Sequence, residues 1–257
     1  MRSLVYALLL AAFAGAASAA IVTKTVEYKA ADTTLLGYLA YDDTITSRVP
    51  GVLIVPEWWG LNDYAKRRAR EIAALGYVAL AADMYGEGKI TTDPKVAGSW
   101  AGAVKGSALI RTRSLAGLET LAAQKNVDAG KLAAIGYCFG GTTVLELAYS
   151  GAPVRGVISF HGSLTAPKPE DPKPIKSKVL ILHGAADTFE SREEIAKVQD
   201  GLDAANAQWE MDYYSGAVHA FTNPDADKAG IPGVAYNAIA DRRSWQRMQS
   251  FLVEIFK

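Results

Sequence analysis

The stretch Gly136-Tyr137-Cys138-Phe139-Gly140-Gly141 joins a buried-strand pattern, Leu132 to Tyr137, to a helical one, Thr142 to Tyr149, with no linker between them. A chain that turns this sharply from strand to helix holds its middle residue in a strained conformation. Glycines two positions to either side remove the Cβ atoms that would otherwise keep the two segments apart. The spacing Gly-x-nucleophile-x-Gly stands a reactive side chain at the end of a sheet, and here cysteine occupies the nucleophile position. The helix that follows turns its N-terminus toward the thiol and favours thiolate. The backbone N–H of Phe139 would then face a developing oxyanion. No Gly-x-Ser-x-Gly competes for the role anywhere in the chain. The bland alternative is a tightly packed turn with Cys138 as a small buried hydrophobe; residues further along decide between the two.

On both sides of this turn, strand-like and helix-like stretches alternate, the pattern of an α/β fold on a mostly parallel sheet. Val22 to Tyr28 and Leu35 to Tyr41 read as an antiparallel edge. Gly51 to Val55, Tyr77 to Ala82, Val157 to Phe160 and Val179 to Leu182 are short apolar runs suited to buried strands, and Trp209 to Tyr214 is a further strand. Helical spacing covers Asp63 to Leu75, about Lys95 to Gln124 with a break near Gly106, Arg192 to Ala207, and Tyr236 to Phe256. The proline- and lysine-rich segment Pro167 to Lys178 is too short to carry a lid. Residues 20–257 therefore read as a single domain with helices on both faces of the sheet and no separate lid domain.

Hydrolases built on such a sheet, the α/β-hydrolases, carry their triad in the order nucleophile, acid, histidine. Downstream of Cys138 comes Leu182-His183-Gly184-Ala185-Ala186-Asp187, which puts Asp187 just past a strand end. After one more helix and strand comes Gly216-Ala217-Val218-His219-Ala220-Phe221, which puts His219 in the loop before the last helix. His219 would take the thiol proton, and Asp187 would fix the imidazole tautomer. His161 and His183 each precede glycine at the end of a strand and receive no catalytic role; His183 is assigned to support of the acid loop. The three histidines lack any metal-binding spacing, so neither a metal nor an organic cofactor is expected.

These residues resemble the dienelactone hydrolase family, the carboxymethylenebutenolidase-like proteins. The likeness runs over nearly all of residues 20–257. It includes Pro56-Glu57-Trp58-Trp59-Gly60, Asp83-Met84-Tyr85-Gly86, the cysteine elbow, His183-Gly184 with Asp187, and His219-Ala220-Phe221. The resemblance implies that Glu57 contacts the resting cysteine and, once substrate frees it, helps remove the thiol proton. It also implies Trp58 as the second backbone donor of the oxyanion hole. Trp59, Tyr85, Phe221, Asn223 and Glu87 then fall around the substrate. The family's name-giving enzymes clamp a carboxylate with two arginines, and this chain has Glu87 and Asn223 in those places. That argues against dienelactone itself and for a neutral ester, lactone or thioester.

Composition narrows the partners. Basic and acidic residues balance at 27 each with no long run of one sign, which gives no electrostatic case for nucleic acid. Met1-Arg2, the apolar stretch Leu4 to Ala17 and Ala17-Ser18-Ala19 read as a cleaved export leader over residues 1–19, too short to anchor stably in a bilayer. An exported chain, periplasmic or secreted, with a single cysteine needs that thiol protected, and a thiol held neutral until substrate arrives meets the need. The expected activity is hydrolysis of a small ester, lactone or thioester through a thiol acyl-enzyme. Two other readings are a catalytically weak binding or interaction module on the same fold and a redox protein, the latter disfavoured by the lack of a second cysteine.

Overall fold

Apolar runs too short to make helices set the centre of the molecule. The computed structural model describes residues 20–257; the leader expected in residues 1–19 lies outside the described residues. Eight strands form one sheet: β1 (Ile21–Ala30), β2 (Thr33–Asp42), β3 (Val49–Val55), β4 (Val78–Ala81), β5 (Val127–Tyr137), β6 (Gly156–Phe160), β7 (Lys178–Gly184) and β8 (Trp209–Tyr214). Their order is β1-β2-β4-β3-β5-β6-β7-β8. β1 pairs antiparallel with β2, and β2 antiparallel with β4; every other pairing is parallel. β5 starts earlier than its apolar run because Val127 and Asp128 pair with Val49 and Pro50 before a register shift at Gly51.

Six helices cover the sheet: α1 (Asp63–Ala74), α2 (Pro94–Lys105), α3 (Leu109–Ala122), α4 (Phe139–Tyr149), α5 (Arg192–Ala204) and α6 (Ala238–Ile255). The break expected near Gly106 separates α2 from α3. Alternation along β3 divides the core. Leu53 and Val55 pack with residues of α2, α3, α4 and α5, whereas Val52 and Ile54 pack with residues of α1 and α6. The sheet is thus buried on both faces, which is why its parallel strands read as unbroken apolar runs. Among the described residues no helix is long and apolar enough to cross a membrane.

The parallel strands bring their C-terminal ends to one edge, where the loops with the chemistry-bearing residues emerge: Glu57 after β3, Cys138 after β5, His161 after β6, Asp187 after β7 and His219 after β8. Such an edge is where open α/β sheets take ligands. Between β5 and α4 the chains nearly touch. A Cβ on Gly136 would lie 1.9 Å from the Gly140 carbonyl oxygen, and one on Gly140 would lie 2.2 Å from that of Val55. Neither obstacle is a movable side chain. Gly136→Ala is therefore expected to cost about 3 kcal/mol or more of stability, at the severe end for one added methyl group. Urea unfolding of the variant beside the parent chain measures it, and a loss below about 1 kcal/mol would contradict so close a contact.

Candidate active site

Cys138 sits between the last residue of β5 and the first of α4 with φ 53° and ψ −116°. A non-glycine residue pays strain there, and the surrounding contacts enforce it. α4 begins at Phe139, closer to the thiol than the helical pattern from Thr142 suggested. Phe139 is consequently the first helical residue, with no carbonyl one turn earlier in the helix to receive its N–H. The N–H of Trp58 also donates to no acceptor among the described residues.

Asp187 and His219, 32 positions apart, meet. His219 Nδ1 lies 2.9 Å from Asp187 Oδ2, and the other carboxylate oxygen accepts the Phe189 N–H at 2.9 Å. The His219 loop is pinned by its own backbone: its N–H donates to the Gly233 carbonyl and its carbonyl accepts from the Ala235 N–H. Burial alone would lower the basicity of His219, but the charge of a Cys138 thiolate and the bond to Asp187 raise it well above the ordinary histidine value. Asp187 is opposed by burial too, yet its bond to His219 and the charge there hold its carboxyl below the usual range. Asp187 and His219 thus form one bonded pair at the strand ends.

Glu57 is 2 % exposed, and Asn223 Nδ2 donates to its Oε2 at 2.7 Å. Burial pushes its pKa up to about 7, against the smaller opposing effects of the Asn223 bond and of His219 and Arg68. Asn223, expected to touch substrate, is itself buried and serves as the partner of this carboxylate. Trp58 and Trp59 are half-buried, with ring centroids 4.9 Å apart. The Tyr85 hydroxyl donates to the Trp58 carbonyl at 2.9 Å, and its ring packs beside Phe139. Asp83 holds that wall in place by accepting N–H bonds from Leu36, Tyr85, Gly86 and Gly88 at 2.8–3.0 Å.

Two expected lining residues lie elsewhere. Phe221 is fully buried against His161 and Tyr214, because the turn at Ala220, with φ 58°, sends it inward. Glu87 is turned out to solvent and paired with Lys89 at 3.4 Å. His183 makes no hydrogen bond to the acid loop: among the described residues its Nδ1 is without a partner, and its ring packs edge-on against Tyr213. Sequence reasoning passed over Phe189, half-exposed with its ring 5.1 Å from that of His219, and it passed over His161. The signal for Phe189 was an aromatic residue two places past the acid; for His161 it was a histidine at the end of the strand beside the elbow. No cluster of three or more His, Cys, Asp or Glu side chains among the described residues is arranged to hold a metal.

The model of the dienelactone hydrolase family matches residues 35–256. The chain belongs to the dienelactone hydrolase family. It is a hydrolase with a small-molecule substrate. A solved dienelactone hydrolase-like promiscuous phosphotriesterase from metagenomic libraries is 41 % identical, with a TM-score of 0.90 over 93 % of this chain and 100 % of its own. An uncharacterized protein of Caenorhabditis elegans is 34 % identical over 57 % of this chain and 94 % of its own. A Salmonella typhimurium protein provisionally named carboxymethylenebutenolidase is 28 % identical over 84 % of this chain and 82 % of its own.

The buried Glu57 gives this dienelactone hydrolase relative a pH signature. A carboxyl group raised from 4.5 to about 7 holds its proton more tightly folded than unfolded. Its burial is therefore costless at low pH and destabilises progressively as pH rises from 4.5 to about 7. Glu57→Gln should leave stability unchanged near pH 4.5 and raise it by on the order of 3 kcal/mol at pH 8. Urea unfolding at both pH values checks this; an equal effect at the two would contradict it.

Proposed function

We propose that the enzyme cleaves a small neutral ester, lactone or thioester through a thiol acyl-enzyme formed on Cys138. The observation that carries this reading is the bonded Asp187–His219 pair at the same sheet edge as a strained cysteine at a strand–helix turn. His219 accepts the thiol proton while the sulfur attacks the carbonyl carbon. The N–H groups of Phe139 and Trp58 receive the oxyanion. The imidazolium then protonates the leaving oxygen or sulfur as its bond to carbon breaks. In the second half His219 deprotonates a water that attacks the thioester, and Cys138 leaves with its proton restored. Glu57, protonated over much of the neutral range, is the second proton carrier near this centre.

A carboxylate-bearing lactone fits less well. The buried Arg68 and Arg113 and the half-buried Arg111 are engaged elsewhere: Arg68 with Asp241 and the Thr222 carbonyl, Arg111 with Asp171 and Glu146, and Arg113 with the Met84 carbonyl. Neither Glu87 nor Asn223 supplies positive charge. The 41 % identical relative described as a promiscuous phosphotriesterase adds a second class to test, since a phosphotriester is also neutral. The leader read over residues 1–19 would deliver this activity outside the cytoplasm.

The decisive experiment is a panel of p-nitrophenyl esters, lactones, thioesters, a p-nitrophenyl dialkyl phosphate and dienelactone on chains starting at Ala20. Cys138→Ala and His219→Ala should each lower kcat by about a thousandfold, and neutral esters should exceed dienelactone in kcat/KM. No turnover with any member would favour a binding module. Undiminished turnover in His219→Ala would remove the role given to that histidine.

A further inference from the structure

Beside the catalytic unit lies a second, fully buried histidine that the reaction as written does not use. His161 follows β6, the strand next to β5, and has no solvent exposure. Its backbone adopts φ 38°, a region that histidine tolerates better than most residues. Its Nδ1 accepts the N–H of Cys138 at 3.2 Å, a bond shared with the Phe160 carbonyl at 3.0 Å. A backbone N–H can only donate, so Nδ1 carries no proton. The ring's proton is on Nε2, which lies 2.6 Å from the buried Thr222 hydroxyl and donates to it. Thr222 Oγ1 is bonded in turn to the Tyr64 hydroxyl at 2.6 Å, and Arg68 reaches both Tyr64 and the Thr222 carbonyl. The ring of His161 stands edge-on to that of His219, with centroids 5.5 Å apart.

We propose that His161 is a positioning residue for the nucleophile: held between the Cys138 N–H at Nδ1 and the Thr222 hydroxyl at Nε2, it fixes the strained turn so that the thiol faces His219. The reason is geometric. Cys138 is held at φ 53° by what surrounds it, and its N–H is the one backbone group of that residue bonded to a side chain. Rotating the Cys138 peptide would cost this bond and move both the sulfur and the Phe139 N–H. A cation at His161 would also oppose the imidazolium that forms on His219. Burial, followed by the neighbouring charge of His219, keeps His161 neutral. The proposal rests on Cys138 being the nucleophile, but its first test does not depend on turnover.

15N-detected NMR of the wild-type chain should show His161 with Nδ1 unprotonated and Nε2 protonated; a proton on Nδ1 would overturn the proposal. Kinetics supply the second test. His161→Leu should lower kcat by about 30-fold with KM changed less than threefold. His161→Asn, whose side-chain oxygen can take the Cys138 N–H and which tolerates positive φ, should recover most of that loss. Thr222→Val leaves the imidazole and its Nδ1 acceptor in place but removes the hydroxyl that takes the Nε2–H, loosening the ring, and should lower kcat about fivefold. A folded His161→Leu chain that keeps kcat within threefold of wild type would refute the role. If that variant does not fold, Thr222→Val decides, and unchanged kcat there would refute it. Should Cys138→Ala keep turnover, the function proposed above fails while the tautomer result still stands or falls alone.

Discussion

The close approach of β5 to the start of α4 is the constraint from which the active edge follows. Gly136 leaves no room for a methyl group against the Gly140 carbonyl oxygen, and Gly140 leaves none against that of Val55 at the end of β3. With the two segments that near, the residue between them cannot relax into an ordinary strand or helix conformation, and Cys138 takes positive φ. The consequence is chemical as well as steric. A side chain at the apex stands away from both segments, and the first N–H of the helix is left without a partner of its own. Strain at one residue and an unused donor at the next are two results of one packing contact.

The electrostatics depend on how deeply the partners are set. Asp187 and His219 are nearly buried, so their attraction is little screened and the imidazole is held in one tautomer. Glu57 is buried just as deeply but has a neutral amide for its bonded partner. The two carboxyl groups therefore shift in opposite directions, Asp187 down and Glu57 up. A site with acids separated in this way can hold one as a fixed charge and use the other as a proton carrier near neutral pH.

Much of this was legible in the residues. The helix break at Gly106, the antiparallel edge of β1 and β2, and the run of strands and helices from β3 to α6 follow from periodicity and punctuation. So does the placing of Asp187 and His219 at the ends of β7 and β8, since the chain order of these groups is itself a pattern. The direction in which a side chain leaves an irregular loop was not legible. Phe221 and Glu87 were placed at the substrate wall by the family resemblance, yet with positive φ at Ala220 and at Glu87 itself one side chain is buried and the other faces solvent. The role of His161 was hidden for a different reason. Its partners come from the elbow and from the loop after β8, and only the strand order, which periodicity does not give, brings them together.

The loop that carries Tyr85 gathers around one carboxylate, with Arg113 taking the Met84 carbonyl beside it. Asp83 gathers four backbone N–H groups, and Tyr85 is tied to the Trp58 carbonyl by its hydroxyl, so the frame of this wall is built from main chain and one acid. The indole ring of Trp59 hangs on that frame, whereas that of Trp58 also packs against the core. Exchanging the Trp59 ring alters the shape and polarity presented to an incoming molecule while the scaffold behind it keeps its form. Divergence of substrate preference in chains of this architecture meets least structural resistance at such positions, and acidic residues like Asp83 are where it meets most.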